Sequence, residues 1–135
     1  MINEDDLSAF GYWSETTPPP KPMTVSQMVR EFSVKTGQLP QPYLYAGLIG
    51  EEADEWRSEY LRDTRAEQLK ELADLVYVIY GFAKAKGWDL DEAIRRVHEN
   101  NLGRCIQPDG TIHRRADGKI LKNPDYPKVD LSDLV

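Results

Sequence analysis

The sequence has 135 residues, of which 40% are hydrophobic and 30% charged, and a formal net charge of −6. These totals predict one globular domain with a modest core, and they argue against a disordered chain. The acidic balance also argues against a general affinity for nucleic-acid backbones, which requires clustered lysine and arginine. A protein of this charge that bound phosphates would have to recruit cations to do so.

The cysteine content and the N-terminal residues bear on the compartment. Cys105 is the single cysteine, so an internal disulfide framework is excluded and a reducing compartment is favoured. The first ten residues are acidic and lack the basic start and apolar run of a signal peptide. No apolar stretch approaches the roughly 20 residues needed to cross a bilayer. We therefore expect a cytoplasmic protein with neither a membrane nor a nucleic acid as a partner.

Composition divides the chain into three segments. Residues 1–22 end in a proline run without apolar periodicity, which predicts a flexible N-terminal arm. Residues 23–103 carry four stretches with helical periodicity and form the predicted helical domain. Residues 104–135 contain two Asp-Gly turns and are expected to form a hairpin or ordered loop, a flap packed on the helices. The aromatic residues of the arm could dock on a partner; they are Phe10, Tyr12 and Trp13.

The first two helices are bounded by typical start and stop residues. The first is predicted to begin at Thr24, which has capping-box spacing with a glutamine, and to end at Gly37. The second follows Pro42 and runs to about Leu61. Two glycines inside it each cost about 1 kcal/mol relative to alanine. They either permit the close approach of another helix or a ligand, or are simply tolerated; they are Gly47 and Gly50.

The third and fourth helices are predicted for residues 64–87 and 89–103, each with a capping pair at its start. The third is apolar around its whole circumference over residues 72–83, except for Asp74. Such a helix is buried in a bundle or between subunits. The fourth is expected to end at Gly103. The apolar residues that it should present inward are Ala93, Ile94, Val97 and Leu102.

Two acidic clusters face each other in the hairpin predicted from the second and third helices. The helices are joined by a very short turn near Asp63 and should be antiparallel neighbours. Glu55 and Glu71 lie equally far before and after this turn, so they should stand at the same height. The same holds for Glu52 and Asp74. Because i, i+3 spacing puts both carboxylates of a helix on one face, we expect four carboxylates in one layer.

This layer of carboxylates requires a compensating cation. Four like charges within a few ångströms repel one another, and an unpaired Asp74 in the most apolar helix would be costly. All-oxygen ligation favours Mg²⁺, Mn²⁺ or Ca²⁺ over zinc. Mg²⁺ retains waters and takes the rest of its shell from substrate phosphates, which would let an acidic protein hold a triphosphate. The alternative is a solvated acidic face, an interpretation that suits Glu59, Asp63 and Glu67, with basic neighbours nearby.

The residues also resemble a known family. The motif EExxE at 51–55, followed by ExxD at 71–74, ELADLVY and VHxxNxxR, resembles the all-α nucleoside triphosphate pyrophosphohydrolases. These include MazG-like proteins, dimeric dUTPases and phosphoribosyl-ATP pyrophosphohydrolase. The similarity covers roughly residues 44–126 and is nearer to the compact MazG-like branch with dUTPase-like activity. It implies an all-α four-helix bundle of the MazG-like type, packed in a homodimer, that cleaves the α–β phosphoanhydride to a monophosphate and pyrophosphate.

The resemblance also implies roles for individual residues. Glu51 would be the general base that deprotonates the attacking water. Asn101 and Arg104 stand where the family has an Asn-x-x-Lys motif that contacts sugar and phosphate, and arginine retains the positive charge. The implied Mg²⁺ ligands, for which Mn²⁺ is an alternative metal, are Glu52, Glu55, Glu71 and Asp74.

Several residues carry two interpretations. Tyr77 either packs in the core or a dimer interface, or contacts the nucleotide one turn beyond the acidic motif. His98 fits a core-edge position better than a catalytic one. A basic patch in the flap is either a solvated loop or closes over the β- and γ-phosphates. Its residues are Arg114, Arg115, Lys119 and Lys122.

The apolar third helix bears on assembly, and three functions remain open. One four-helix monomer cannot cover a helix that is apolar on every side, so we expect a homodimer or a dimer of dimers, with the flap acting in cis or in trans. The first hypothesis is a Mg²⁺-dependent pyrophosphohydrolase of a pyrimidine deoxynucleotide such as dUTP, in a housecleaning role. The second is phosphoribosyl-ATP pyrophosphohydrolase. The third, a non-catalytic regulator that binds a cation or a basic partner, is disfavoured by the complete set of five carboxylates.

Overall fold

The computed structural model describes residues 20–39, 41–62 and 64–135. Over these residues the chain is all-α, as predicted, with one isolated antiparallel bridge and no longer strand. No described helix combines the length and the apolarity needed to cross a bilayer. The predicted arm, apart from its last residues, and the turn residue Asp63 lie outside the described residues. The helices are α1 (Val25–Thr36), α2 (Pro42–Tyr60), α3 (Arg65–Lys86) and α4 (Leu90–Cys105), followed by a 3-10 turn (Ser132–Leu134).

Local hydrogen bonds explain where α1 and α4 begin. The Thr24 hydroxyl accepts from the Gln27 backbone N–H at 3.2 Å, and the Gln27 side chain accepts from the Thr24 N–H at 2.8 Å. Gly37 then ends α1 with a φ of 69°, a left-handed conformation that suits glycine. Asp89 caps α4 by accepting from the Glu92 N–H at 3.0 Å. These predicted caps are confirmed.

One predicted side-chain cap and one predicted helix end differ from the structure, although Thr64 does stand at the N-cap of α3 as predicted. The Thr64 hydroxyl does not cap α3; it donates instead to the Glu59 carboxylate across the turn between α2 and α3. Gly103 does not end α4, which continues for two more residues. Its lack of a side chain serves packing, because a Cβ there would overlap the hydroxyl of Tyr126.

The antiparallel pair of α2 and α3 forms the body of the fold. These two helices pack against each other extensively, and α1 packs on α3. The Tyr45 ring of α2 lies so close to Gly81 of α3 that any side chain at Gly81 would overlap it. On the other face, the Phe32 ring of α1 meets Tyr77 of α3 edge-on, with ring centroids 5.8 Å apart.

Helix α4 and the C-terminal segment pack mainly on each other. The N-terminal end of α4 contacts α3 through a hydrogen bond that the Tyr80 hydroxyl donates to Asp91 at 2.9 Å. Beyond it, α4 makes only marginal contact with the other helices. The segment after α4 forms the predicted turn at Asp117, with the Arg115 N–H donating to the Lys119 carbonyl at 2.7 Å. It then runs back along α4.

Three ties hold this returning segment to α4. The Asn123 N–H donates to the Arg104 carbonyl at 2.7 Å, and the Asn100 side chain donates to a backbone carbonyl at 2.9 Å. Near the C-terminus, the Arg96 guanidinium pairs with Asp133 at 2.5 Å. The predicted flap therefore lies on α4 and not across the helical hairpin.

The hydrophobic core of the single chain is small. Among the described residues, the buried apolar side chains are Val29, Tyr80 and Ala83. The face of α4 that was expected to point inward is instead exposed, with Ile94 49% and Val97 38% accessible. This prediction is wrong for the isolated chain, because no other helix covers α4.

Candidate active site

Three glutamates from α2 and α3 converge on one point. Glu52 and Glu55 lie one turn apart on α2, and Glu71 faces them from α3. One carboxylate oxygen from each lies within 4.8 Å of the others. The antiparallel hairpin and the i, i+3 spacing produce this triangle, as the sequence predicts. Three oxygens at this spacing can hold a divalent cation.

Two of these carboxylates have oxygens that lack hydrogen bonds. Glu71 is only 8% accessible, and Glu52 is half-buried. The Oε2 atom of each is buried and has no hydrogen-bond partner among the described residues. A buried carboxylate oxygen without a donor is costly, and the repulsion between the three groups adds to that cost. The triangle therefore fits a hard cation, which would satisfy both oxygens.

The pKa of Glu52 reflects the same burial and the same repulsion between carboxylates. Burial is the largest cause that raises the pKa of Glu52 above its usual value, and the negative charges of Glu55 and Asp74 raise it further. In the metal-free chain Glu52 thus loses its proton less readily than an ordinary glutamate. A bound cation would reverse this effect, because it attracts the ionised carboxylate.

Asp74, the fourth predicted ligand, lies beside the triangle and not in it. Its side chain is 40% accessible, and its Oδ2 forms an ion pair with the Lys70 ammonium at 2.9 Å. The same ammonium lies 3.4 Å from the Glu71 Oε1 atom. The carboxylate of Asp74 and, to a smaller extent, that of Glu71 raise the pKa of Lys70. The sequence predicted Asp74 as a metal ligand in an apolar setting, whereas the structure gives it a lysine partner and partial solvent access.

A cavity of about 340 Å³ opens next to the carboxylates. Glu52 and Asp74 stand at its acidic edge. Tyr77 lines the cavity while also packing against Phe32, so both interpretations of this tyrosine are compatible with its position. The apolar and aromatic walls are formed by Phe32, Leu44, Tyr45, Leu48, Tyr77 and Val78.

Glu51 lines a second, more open cleft along the first half of α2. The cleft has a volume of about 640 Å³ and is lined by residues of the first half of α2, including Gly47 and Leu48. The Glu51 side chain is exposed, next in sequence to a member of the triangle. A Cβ at Gly47 or Gly50 would meet no atom within 4 Å. No described residue of this chain makes the close approach that these glycines would allow.

The remaining predicted site residues lie apart from the triangle. Asn101 and Arg104 are on α4, and Arg115 pairs with Asp117 in the C-terminal turn. No hydrogen bond or cavity within the described chain joins them to the carboxylates. The Arg104 Nε atom is buried without a hydrogen-bond partner among the described residues. The other residues of the basic patch, all exposed, are Arg114, Lys119 and Lys122.

Sequence reasoning missed Lys70 as a member of the site. The signal was present, because Lys70 precedes Asp74 by four residues and therefore lies on the same face of α3. It also missed the contribution of α1, whose Phe32 closes the cavity beside the carboxylates. Nothing in the local pattern of α1 indicates which helix it packs against.

Comparison with known proteins gives one family. The family described as phosphoribosyl-ATP pyrophosphohydrolase matches residues 25–101, which is more than half of the chain and contains the whole carboxylate cluster. No curated protein matches the sequence. The extent of the family match and the converging carboxylates agree with the expected superfamily of all-α nucleoside triphosphate pyrophosphohydrolases. The chain belongs to the phosphoribosyl-ATP pyrophosphohydrolase family and is a pyrophosphohydrolase, a hydrolase that acts on phosphoanhydride bonds.

Proposed function

We propose that this chain is a Mg²⁺-dependent nucleoside triphosphate pyrophosphohydrolase with a cytoplasmic housecleaning role. Its preferred substrate would be a pyrimidine deoxynucleotide such as dUTP, cleaved to the monophosphate and pyrophosphate. The observation that carries this proposal is the triangle of Glu52, Glu55 and Glu71, two of whose buried oxygens lack donors, beside an apolar cavity. Because the chain belongs to an enzyme family, the non-catalytic regulator is no longer a competing hypothesis.

The acidic residues divide into ligands and a base. Glu52, Glu55 and Glu71 would hold Mg²⁺, with Asp74 at the edge of the set; Mn²⁺ would be the alternative metal. When bound, the metal neutralises charge on the phosphates and acidifies a coordinated water. Glu51, adjacent in sequence to the ligands and exposed in the second cleft, would be the general base.

The reaction requires one proton transfer and one displacement. Glu51 accepts a proton from the attacking water as the water oxygen bonds to the α-phosphorus. The bond from that phosphorus to the bridging oxygen breaks, and the bridging oxygen leaves with pyrophosphate. The nearby carboxylates would repel the phosphates without a cation, so Glu52, Glu55 and Glu71 would need to hold one for the substrate to bind.

The apolar cavity is the candidate site for the base and sugar. Its volume of about 340 Å³ is small, near the lower end of the roughly 300–1,000 Å³ range of small-molecule sites. Such a volume favours a single-ring base over a purine. Tyr77 and Phe32 would contact the base with their rings, since aromatic faces and edges bind flat heterocycles well.

Helix α4 and the C-terminal segment would contribute to substrate binding through assembly. The single chain buries few apolar side chains and leaves Ile94 and Val97 accessible, which is a surface that a homodimer or a dimer of dimers would cover. In such an assembly α4 would approach a site in cis or in trans. The substrate contacts proposed for this region are Asn101, Arg104, Arg115, Lys119 and Lys122.

Phosphoribosyl-ATP is the second candidate substrate, and one observation favours it. The matching family bears the name of that activity. The match ends at residue 101, however, and leaves the C-terminal segment that packs on α4 without a counterpart. The small cavity also suits a purine ribonucleotide less well than a pyrimidine deoxynucleotide.

A substrate panel tests these alternatives. The protein is incubated with the dNTPs, the NTPs and phosphoribosyl-ATP, each with Mg²⁺, Mn²⁺ or EDTA, and released pyrophosphate and monophosphate are quantified. We expect the highest kcat/KM for dUTP or another pyrimidine deoxynucleotide, and no turnover in EDTA. Highest activity on phosphoribosyl-ATP would select the second candidate. Absence of pyrophosphate from every substrate would refute both.

A further inference from the structure

Lys70 brings a positive charge to the edge of the carboxylate cluster. Its ammonium lies 2.9 Å from Asp74 Oδ2 and 3.4 Å from Glu71 Oε1. It is therefore shared between a member of the triangle and the one predicted ligand outside it. Its side chain is mostly exposed, whereas that of Glu71 is buried.

This contact accounts for the position of Asp74. The sequence places Asp74 at the height of Glu52, and the negative charge of Asp74 contributes to the raised pKa of Glu52. Asp74 nevertheless does not join the triangle. An ammonium and a divalent cation compete for the same carboxylate oxygens. While the Lys70 ammonium pairs with Asp74 Oδ2, a metal ion must compete with that ammonium for this oxygen.

We propose that Lys70 is a positioning residue that holds Asp74 away from the metal in the substrate-free protein. The triangle of Glu52, Glu55 and Glu71 then takes the first cation alone. Asp74 becomes a ligand when an anionic substrate attracts the ammonium, which its flexible four-carbon stem allows. The identity of that anion as a nucleotide phosphate rests on the proposed function, whereas the competition between Lys70 and the metal does not.

A second lysine in the chain shows what an ordinary surface pair looks like. Lys35 pairs with Glu31 at 2.5 Å with the same i, i+4 spacing, and both side chains are exposed. Exposed pairs of this kind contribute little to stability. The Lys70 pair differs because the ammonium also approaches Glu71, whose other oxygen is buried without a donor. Lys35→Met is therefore a matched control, since it removes the same charge from the same type of pair outside the cluster.

The test is a titration of the substrate-free protein with Mn²⁺, followed by electron paramagnetic resonance and calorimetry. Lys70→Met should bind the first Mn²⁺ about tenfold more tightly than the native chain, because a cation next to the site has been removed. Lys35→Met should change the affinity by less than about twofold, because screening weakens distant charges. Equal affinities for the native chain and Lys70→Met would overturn the inference.

A double-mutant cycle separates the recruitment of Asp74 from a general effect of charge. If Asp74 enters the shell once Lys70 is gone, the gain in Lys70→Met should be lost when Asp74→Asn is added. A gain of equal size in the Asp74→Asn background would refute the positioning role. Native protein that binds no Mn²⁺ at all would overturn the metal centre together with this inference. A protein that binds Mn²⁺ but hydrolyses no nucleotide would overturn the proposed function alone.

Discussion

The α2–α3 hairpin and the α4 region illustrate two ways in which a small chain arranges functional groups. In the hairpin, two helices pack along each other and bring three carboxylates within 4.8 Å inside one chain. In the α4 region, a helix packs on its own following segment through Asn123 and Arg96, while its apolar face remains exposed. The carboxylates of the hairpin converge within one chain, whereas no helix among the described residues covers the apolar face of α4.

The difference follows from packing, because both regions have short connections. Where two helices joined by a short turn pack along each other, the height of each carboxylate is set by its distance from that turn. The α4 helix is joined to α3 by a comparably short link, but its apolar residues face away from the hairpin. A face of this type gains free energy only when another surface covers it. The proposed catalytic groups thus depend on packing within one helical hairpin, whereas the proposed substrate-binding groups of α4 depend on a surface that covers this helix.

The largest effect should come from the base on α2. Glu51→Gln should lower kcat about 1,000-fold, within the range expected for loss of a general base. Mn²⁺ affinity should change little, because Glu51 lies outside the triangle. The control is Asp54→Asn on the same helix, an exposed carboxylate that pairs with Arg57. Turnover of Glu51→Gln near the native rate would show that the base has been assigned to the wrong residue.

The next test disrupts the exposed apolar face of α4. Ile94→Asp places a charge in the exposed apolar face, so it should convert the assembled protein to monomers in light-scattering measurements. Turnover should fall about tenfold or more if the substrate groups of α4 act through the assembly. Glu99→Gln is the control on the charged face of the same helix, where Glu99 pairs with Arg95. A native chain that is already monomeric would contradict the expected homodimer.

Alanine substitutions at two glycines should change the free energy of unfolding in opposite directions. Gly81→Ala should lower the free energy of unfolding by about 1–3 kcal/mol, because the new methyl group overlaps the Tyr45 ring between α2 and α3. Gly50→Ala is the matched control in open space, and it should raise stability by about 0.5–1 kcal/mol through helix propensity. Denaturant unfolding measures both. Loss of activity in a stabilised Gly50→Ala variant would reveal that a ligand or a second chain approaches that helix closely.

The smallest effects should appear in the pH dependence of stability, and they should have opposite signs in the hairpin and in α4. The raised pKa of Glu52 means that its contribution to the stability of the metal-free chain is complete below the ordinary value of 4.5. That contribution is lost as the pH rises through the raised pKa. In α4, hydrogen bonds from Arg95 and Arg96 lower the pKa of Glu92 to about 2. The contribution of Glu92 is therefore present above 4.5 and lost as the pH falls towards 2.

Melting temperatures measured between pH 3 and 7 without metal test these signs. Glu52→Gln should remove the loss on the alkaline side, and Glu92→Gln should remove the loss on the acid side. Adding Mn²⁺ should reverse the Glu52 effect, since the metal requires the ionised carboxylate. A Glu52→Gln variant whose melting temperature has the native pH dependence would contradict a raised pKa of Glu52 in the triangle.

Part of the architecture could be predicted because it depends on nearby residues. Capping by Thr24 and Asp89 is a local hydrogen-bonding event, and both caps are where the sequence predicts them. The cap expected at Thr64 failed because a carboxylate across the turn, Glu59, competes for the hydroxyl. The stop expected at Gly103 failed because Tyr126, distant in sequence, uses the space that this glycine leaves.

The sequence by itself determined the four helices and the convergence of Glu52, Glu55 and Glu71. Helical periodicity and a short connection leave few other arrangements for these groups. Only the tertiary structure decided that Asp74 lies beside the triangle and not in it, that Phe32 lines a cavity beside the carboxylates, and that the apolar face of α4 is exposed. Such outcomes depend on side-chain competition and on packing between distant segments, because many partners are equally compatible with the same local pattern.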